Sequence, residues 1–490
     1  MKTGAKDAQG NDITVDLGFD GNQRIQVRAG SGLLRVDEFV TLTGSFFFEK
    51  GPTHKVDVAT GFPANAGQLA ANLSTAIAGL DRIGSVSDET SDLWIETDLS
   101  MIHNLEVDSL QIGVGTASLF AGINGPTTFD KTKKLADQLS PDATGLLVDD
   151  VDVGFLMMEP TLNAFPGFDK FLPKFHSLKA TADFAGLVGL DDVKLQAKNI
   201  LIEVNNGKAW PGDIGPPVVD FQKSFDSKGE ATNYGANETP KRSPDGKFAV
   251  NSGGKDAQGN FKTVDLDYDG NQRIGAASDE VLLQLSNFVH VSGAFSFEKG
   301  PTHKVDVATG LPSDLGQAIG SFASAVGGID KIGAVNDPQQ DLYIENDLSK
   351  IHNLEVSALQ IGARDVNVFV GVDGPYWNDF DKSGTVTWVA PKVVNGAVVK
   401  DQYVSMSASD PVVTVDGFSY GDINGDGKVQ ENETAELNED ATGLSVNDVD
   451  VGFVLMEPTL AALPGFDKML PKLYSLKASA DFAELVGFSE

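Results

Sequence analysis

FVTLTGSFFFEKGPTHKVDVATG, running from Phe39 to Gly61, decides how the chain is read. Its side chains alternate in character on both sides of a central Lys-Gly-Pro, the period-two pattern of two strands joined at a turn. Its second half returns later: GPTHKVDVATG begins at Gly51 and again at Gly300. Working outward, AKDAQGN at Ala5 has its partner, GKDAQGN, at Gly254, so both pairs are offset by 249 positions (300 − 51 and 254 − 5). The register holds through LQIG at Leu110 and Leu359 and breaks at Asp130 and Asp379. It resumes with DATGL at Asp142 and Asp440, at an offset of 298. Copy two therefore carries 49 residues (298 − 249) that copy one lacks.

Strand signals dominate both copies. LQIGVGTASLFAGING and its partner LQIGARDVNVFVGVDG read as hairpins, and VDVGFLMMEP puts Val151, Val153, Phe155 and Met157 on one face. Helical spacing stands out once per copy, at Leu69, Leu73, Ile77 and Leu80 and at Ile319, Phe322, Val326 and Ile329. Such short Gly- and Ala-rich helices need a sheet to lie on. The expected fold is mainly β: tandem elongated β-sheet repeats, solenoid-like or groove-shaped, each with one packed amphipathic α-helix. Two fused sandwiches per repeat is the alternative. The expected division is a β-rich repeat over 1–206, a linker over 207–252, and a second repeat over 253–490 with an insertion at about 380–438. The VVDF segment of the linker is a candidate to dock on a neighbour. Copy two stops at Glu490, aligned with Asp192, so VKLQAKNILIEVNNG of copy one has no counterpart. Both ends read as cuts through a longer array, a trimmed last repeat being the alternative. In copy two the missing strand leaves an unpaired sheet edge, a template for another chain, and this predicts head-to-tail self-association.

The 490 residues include 70 acidic and 37 basic ones, for a net charge of −33. That charge repels nucleic acid and anionic membrane surfaces, so no nucleic-acid partner is expected. It suits calcium, which prefers carboxylate and carbonyl oxygens, although a solvated acidic surface accounts for most of the acids. No apolar run reaches the length of a membrane span, so membrane insertion is not expected. There is no cysteine, and the start of the chain shows no hydrophobic signal region.

DINGDGKVQENE, Asp422 to Glu433, is the strongest motif and lies in the insertion. It matches an EF-hand calcium loop. Asp422, Asn424 and Asp426 stand at positions 1, 3 and 5, and Gly427 at position 6 permits the sharp turn. Lys428 gives its backbone carbonyl, Gln430 stands at the water-bridged position 9, and Glu433 is the bidentate carboxylate at 12. An Asp-Gly turn in an acidic chain is the structural alternative. The preceding GFSYG is not an entering helix, so the loop is closer to dockerin-like and extracellular calcium repeats than to a sensor. A weaker loop offers Asp379, Asp381 and Ser383 at positions 1, 3 and 5, but Ala390 at 12 removes the bidentate acid, and a plain turn explains it equally well. DLDYDGN, with Asp265, Asp267 and Asp269, is read as mostly structural. GFSYG also matches the hydrolase nucleophile elbow around Ser419, but that order needs a later histidine, and all six histidines precede Ser419. No set of nucleophile, base and acid can be assembled, so no enzyme is expected. His103 and His352 occupy matched strands, as do His54 and His303, and are read as structural. Trp94 and Tyr343 are read as core or groove aromatics.

FEKGPTHKVDVATGLP, LQIGARDVNVFVGVDGPYW, GDINGDG and SLKATADFAGLVGLDD together resemble the recurring units of very large bacterial exoproteins of the RTX-type or filamentous-adhesin kind. The nonapeptide calcium repeats of the β-roll are absent. The resemblance implies secretion or display on the bacterial cell surface, calcium-stiffened repeats, and adhesion or matrix assembly. The leading expectation is thus a non-catalytic structural and adhesive repeat protein that associates with itself and meets a cell-surface or matrix ligand. The alternative is a binding module whose sheet forms an apolar groove for lipid or glycan. Apolar side chains on both faces of the sheet favour the groove, and a polar outer face favours the spacer.

Overall fold

The computed structural model describes residues 2–6, 9–14, 23–61, 82–83, 92–96, 100–126, 130, 133–161, 174–190, 193–208, 216–228, 245–286, 288–310, 331–332, 338–339, 342–345, 349–373, 388–394, 397–406, 413–415, 418–420, 441–458 and 472–488. Both calcium loops, Asp379 to Ser383 and Asp422 to Glu433, lie outside them, as do both expected helices.

The fold is mainly β. Copy one opens with a small hairpin, β1 (Lys2–Lys6) and β2 (Asp12–Thr14). There follow β3 (Ile25–Val36), β4 (Val40–Ala59), the short β5 (Arg82–Ile83) and β6 (Trp94–Glu96), then β7 (Met101–Ile123), β8 (Thr144–Pro160), β9 (Phe175–Val188) and β10 (Val193–Gly207). Next come β11 (Val218–Asp220), the single-turn α1 (Phe221–Ser224), and a second hairpin, β12 (Phe248–Lys255) and β13 (Phe261–Leu266). Copy two continues with β14 (Arg273–Leu285), β15 (Val289–Ala308), β16 (Lys331–Ile332), β17 (Tyr343–Glu345) and β18 (Lys350–Val372). The insertion contributes β19 (Trp388–Val394) paired with β20 (Ala397–Met406), and β21 (Val413–Val415) paired with β22 (Phe418–Tyr420). The chain closes on β23 (Thr442–Pro458) and β24 (Leu473–Val486).

The long strands form one antiparallel sheet in the order β3-β4-β7-β8-β9-β10-β14-β15-β18-β23-β24, with β5, β6, β11, β16 and β17 added at strand ends. The bounds of β4 and β15, and of β7 and β18, differ by 249; those of β8 and β23, and of β9 and β24, differ by 298. Bends recur at the same places. Positive φ falls at Asn104 and Asn353, at Thr116 and Asp365, and at Asp150 and Asp448. Short polar side chains tolerate this left-handed conformation better than most, which explains the Asn and Asp usage there. The two copies meet without a break, because β10 pairs with β14 from Val193↔Leu285 to Asn205↔Arg273.

A second layer covers one face of the copy-one half. Within the 207–252 stretch, Val218, Val219, Phe221, Phe225, Phe248 and Val250 are buried. They join Leu266 and Tyr268 over a floor of Val56, Val58, Leu105, Val107, Leu156 and Met158. Asp220 caps α1 by accepting from the Lys223 amide. The β12–β13 hairpin seats in a notch of glycines. A Cβ on Gly113 would fall 1.7 Å from the Asn251 carbonyl oxygen, and one on Gly154 2.8 Å from Val264 Cβ. Only glycine lets the backbones approach that closely.

Candidate functional site

The opposite face of the same sheet carries the most distinctive surface. Cross-strand partners share a face, so the register can be followed side chain by side chain. In copy one the row runs from Phe46 to Val114, Val153, Ala180 and Ile202. Ile202 pairs with Ala276 across the joint between copies, and the row goes on through Phe297, Ile361 and Phe453 to Leu476. Every member is apolar. A second row lies one pleat away, from Val27 through Phe48, Ile112, Phe155, Leu178 and Val204 to Ile274. At about 4.8 Å per strand spacing, eleven strands span ~50 Å.

This face is open. Ile112 is 38% exposed, Ile202 40%, Phe297 39%, Ile361 42% and Leu476 63%, whereas Val56, Val58 and Val107 on the covered face are at most 1% exposed. The band has a polar margin. Beyond Leu110 and Met157 the next pair on this face is Asp108 with Glu159, and Lys174 pairs with Glu159. In copy two Glu457 takes the same place, paired with Lys472. Apolar patches of this size mark contact sites for partners, membranes or ligands. The alternation in the sequence shows part of the band, in Val151, Val153, Phe155 and Met157, but not its continuity, which needs the pairing register of every strand.

Two histidine clips sit at strand ends. Buried His103 bonds Asp57 through Nδ1 at 3.0 Å and Glu96 through Nε2 at 2.9 Å, and stacks on Trp94 at 4.0 Å. Burial lowers its pKa, but the hydrogen bonds to Asp57 and Glu96 and their charges outweigh that and raise it to about 9. His352 repeats the arrangement with Asp306, Glu345 and Tyr343. There the Glu345 hydrogen bond leads in raising the pKa. Both ring nitrogens are occupied by carboxylates, so the clip holds β4, β6 and β7 together and offers no free base. Trp94 and Tyr343 are thus stacking partners of these clips. His54 packs edge-on against Phe225 and Phe248, and burial with the nearby Arg24 charge lowers its pKa to about 4.

Of the acidic candidates, Asp265 pairs with Lys247 and Asp267 with Lys179. These acids of DLDYDGN therefore serve as ion-pair partners. A cluster that no sequence motif marks brings Asp365 together with Asp448 and Asp450 from the neighbouring strand. Arg364 pairs with Asp365, and copy one has Thr116 in its place. Asp365 is remote in sequence from Asp448 and Asp450, and the only local signal is the repeated bulge in each strand. Among the described residues no helix is long and apolar enough to cross a membrane. Compared with protein-family models, with curated proteins and with solved structures, the chain matches none.

Proposed function

We propose that the chain is a non-catalytic, extended-sheet binding module that holds apolar ligands, lipid acyl chains first, along its open face. The uninterrupted apolar row from Phe46 to Leu476 carries this reading. It supplies the apolar second face that separates a groove from a plain spacer. Glycan recognition calls for polar groups set among aromatic rings, and the row has none, so its chemistry favours acyl chains. Each methylene taken from water contributes about 0.8 kcal/mol, and a band ~50 Å long offers room for more than one chain. In this reading the repeats form an elongated, groove-shaped sheet, each with its amphipathic helix packed beside it.

The test uses a fluorescent fatty acid and the full chain. Phe297→Asp with Leu476→Asp places two charges in the row, on strands that do not pair with each other, at positions already exposed to water. Affinity is expected to fall at least tenfold, about 1.4 kcal/mol, with an unchanged melting curve. Absence of binding by the parent chain, or equal binding by the variant, refutes the reading.

The second reading is a structural and adhesive repeat, secreted or displayed on the bacterial surface in the manner of RTX-type exoproteins. Its supporting observation is the β10–β14 pairing, which places strands from both halves of the chain in a single sheet. Self-association belongs to this reading, as does calcium held by Asp422, Asn424, Asp426, Lys428, Gln430 and Glu433, with Asp379, Asp381 and Ser383 as a weaker site. Calorimetry should show calcium binding that drops sharply in Glu433→Gln, since an amide cannot supply the bidentate carboxylate. Equal affinity in both proteins removes calcium from the proposal.

A further inference from the structure

Copy two repeats the notch that seats a hairpin in copy one, and there it stands open. Gly113 and Gly154, which receive β12–β13, correspond to Gly362 and Gly452 by the offsets of 249 and 298. A Cβ on Gly452 would meet nothing within 4 Å, and one on Gly362 would meet only Ser296 Oγ, at 2.6 Å. The two glycines line an open depression of about 450 Å³. Ser296 stands where copy one has Phe47, which deepens the floor.

The chain also holds a second hairpin of the matching sequence. TGAKDAQGNDITVDL at Thr3 corresponds to SGGKDAQGNFKTVDL at Ser252, and its strands β1 and β2 pair with each other in a separate two-stranded sheet. The residue that matters most is kept. Gly253 has φ of +85°, and a Cβ on it would lie 2.5 Å from the Phe46 carbonyl oxygen; its counterpart is Gly4. Val15 likewise stands in sequence where Val264 meets Gly154. The copy-two groove differs at Gly115, replaced by Arg364, whose exposed side chain pairs with Asp365.

We infer that the Gly362–Gly452 notch receives the β1–β2 hairpin of a second copy of this chain. Successive molecules would then be linked head to tail, the hairpin of one seated on the sheet of the next. Such a contact does not close on itself, so it propagates. The inference rests on the self-association reading above and names its site.

Sedimentation of the full chain over a concentration series tests it, with two variants on opposite sides of the joint. Gly452→Trp fills the notch from a position with free space around it, so the fold is retained. Gly4→Val bars the close backbone approach that Gly253 makes. The parent chain is expected to associate, and each variant to raise the dissociation constant at least tenfold. If the parent associates and both variants associate equally well, this site is wrong while self-association stands. If the parent stays monomeric throughout, both fall together.

Discussion

Phe221→Ala is expected to destabilise the copy-one half by about 3–5 kcal/mol, the usual cost of emptying a large buried aromatic site. Phe221 is fully buried and packs against Phe225 at 6.1 Å and Tyr268 at 6.0 Å between ring centres. These rings tie two separate stretches to the floor of Val56, Val58, Leu105 and Val107. A cavity there weakens the docking of the whole second layer as well as one contact. Hydrogen exchange, read strand by strand, is the right measurement, because a molecule of this size need not unfold in one step. Protection should fall in β4, β7, β8 and β12 and hold in β18 and β23. Phe288→Ala serves as the control: its ring is 52% exposed and its loss should cost under about 0.5 kcal/mol. Equal effects of the two substitutions would mean that the second layer does not hold copy one together.

That layer also marks how far the sequence could be read. Strand periodicity and the repeat were legible because alternation survives in both copies, as in Val151 to Met157 and its partner Val449 to Leu455. Composition hid most of the role of the 207–252 stretch, of which VVDF alone read as a docking candidate. Its Pro, Gly and Ser content reads as linker, yet Val219, Phe221 and Phe225 place buried side chains over copy one. Short apolar clusters inside polar sequence acquire meaning only from what lies beneath them. The open face posed the opposite difficulty. Each strand shows apolar residues on both sides, but which of them line up depends on pairings such as Ile202↔Ala276, between residues that no local pattern connects. The histidine clips were half visible: the matched positions of His103 and His352 indicated a shared role, while their carboxylate partners lie 46 residues back and seven residues back in the chain. The two calcium loops remain a sequence argument, since residues 374–387 and 421–440 fall outside the described structure.

The clip in copy one makes stability depend on pH in a direction unusual for a buried histidine. His54 and His290 are held neutral, with pKa values lowered to about 4 chiefly by burial. His103 is held charged. Its folded pKa of about 9 lies above the unfolded value of 6.5. Its contribution is therefore complete below about pH 6.5 and is lost as pH rises through 9. The size is on the order of 3 kcal/mol, since each tenfold gain in proton affinity is worth about 1.4 kcal/mol. One group opposes it. Lys198 has its pKa lowered from 10.5 to about 8, mainly by burial, so its own contribution rises between those two values and overlaps the upper part of the His103 interval. A comparison with His103→Gln removes that background, because Lys198 lies on β10, away from the clip. Glutamine keeps a polar group between Asp57 and Glu96 but cannot carry the charge, so the variant is less stable than the parent at pH 6. The gap should close toward pH 10, as measured by urea denaturation followed through Trp94, which stacks on the ring. A gap that stays constant from pH 6 to 10 would show that His103 is neutral in the folded protein, and the clip would then be a pair of ordinary hydrogen bonds.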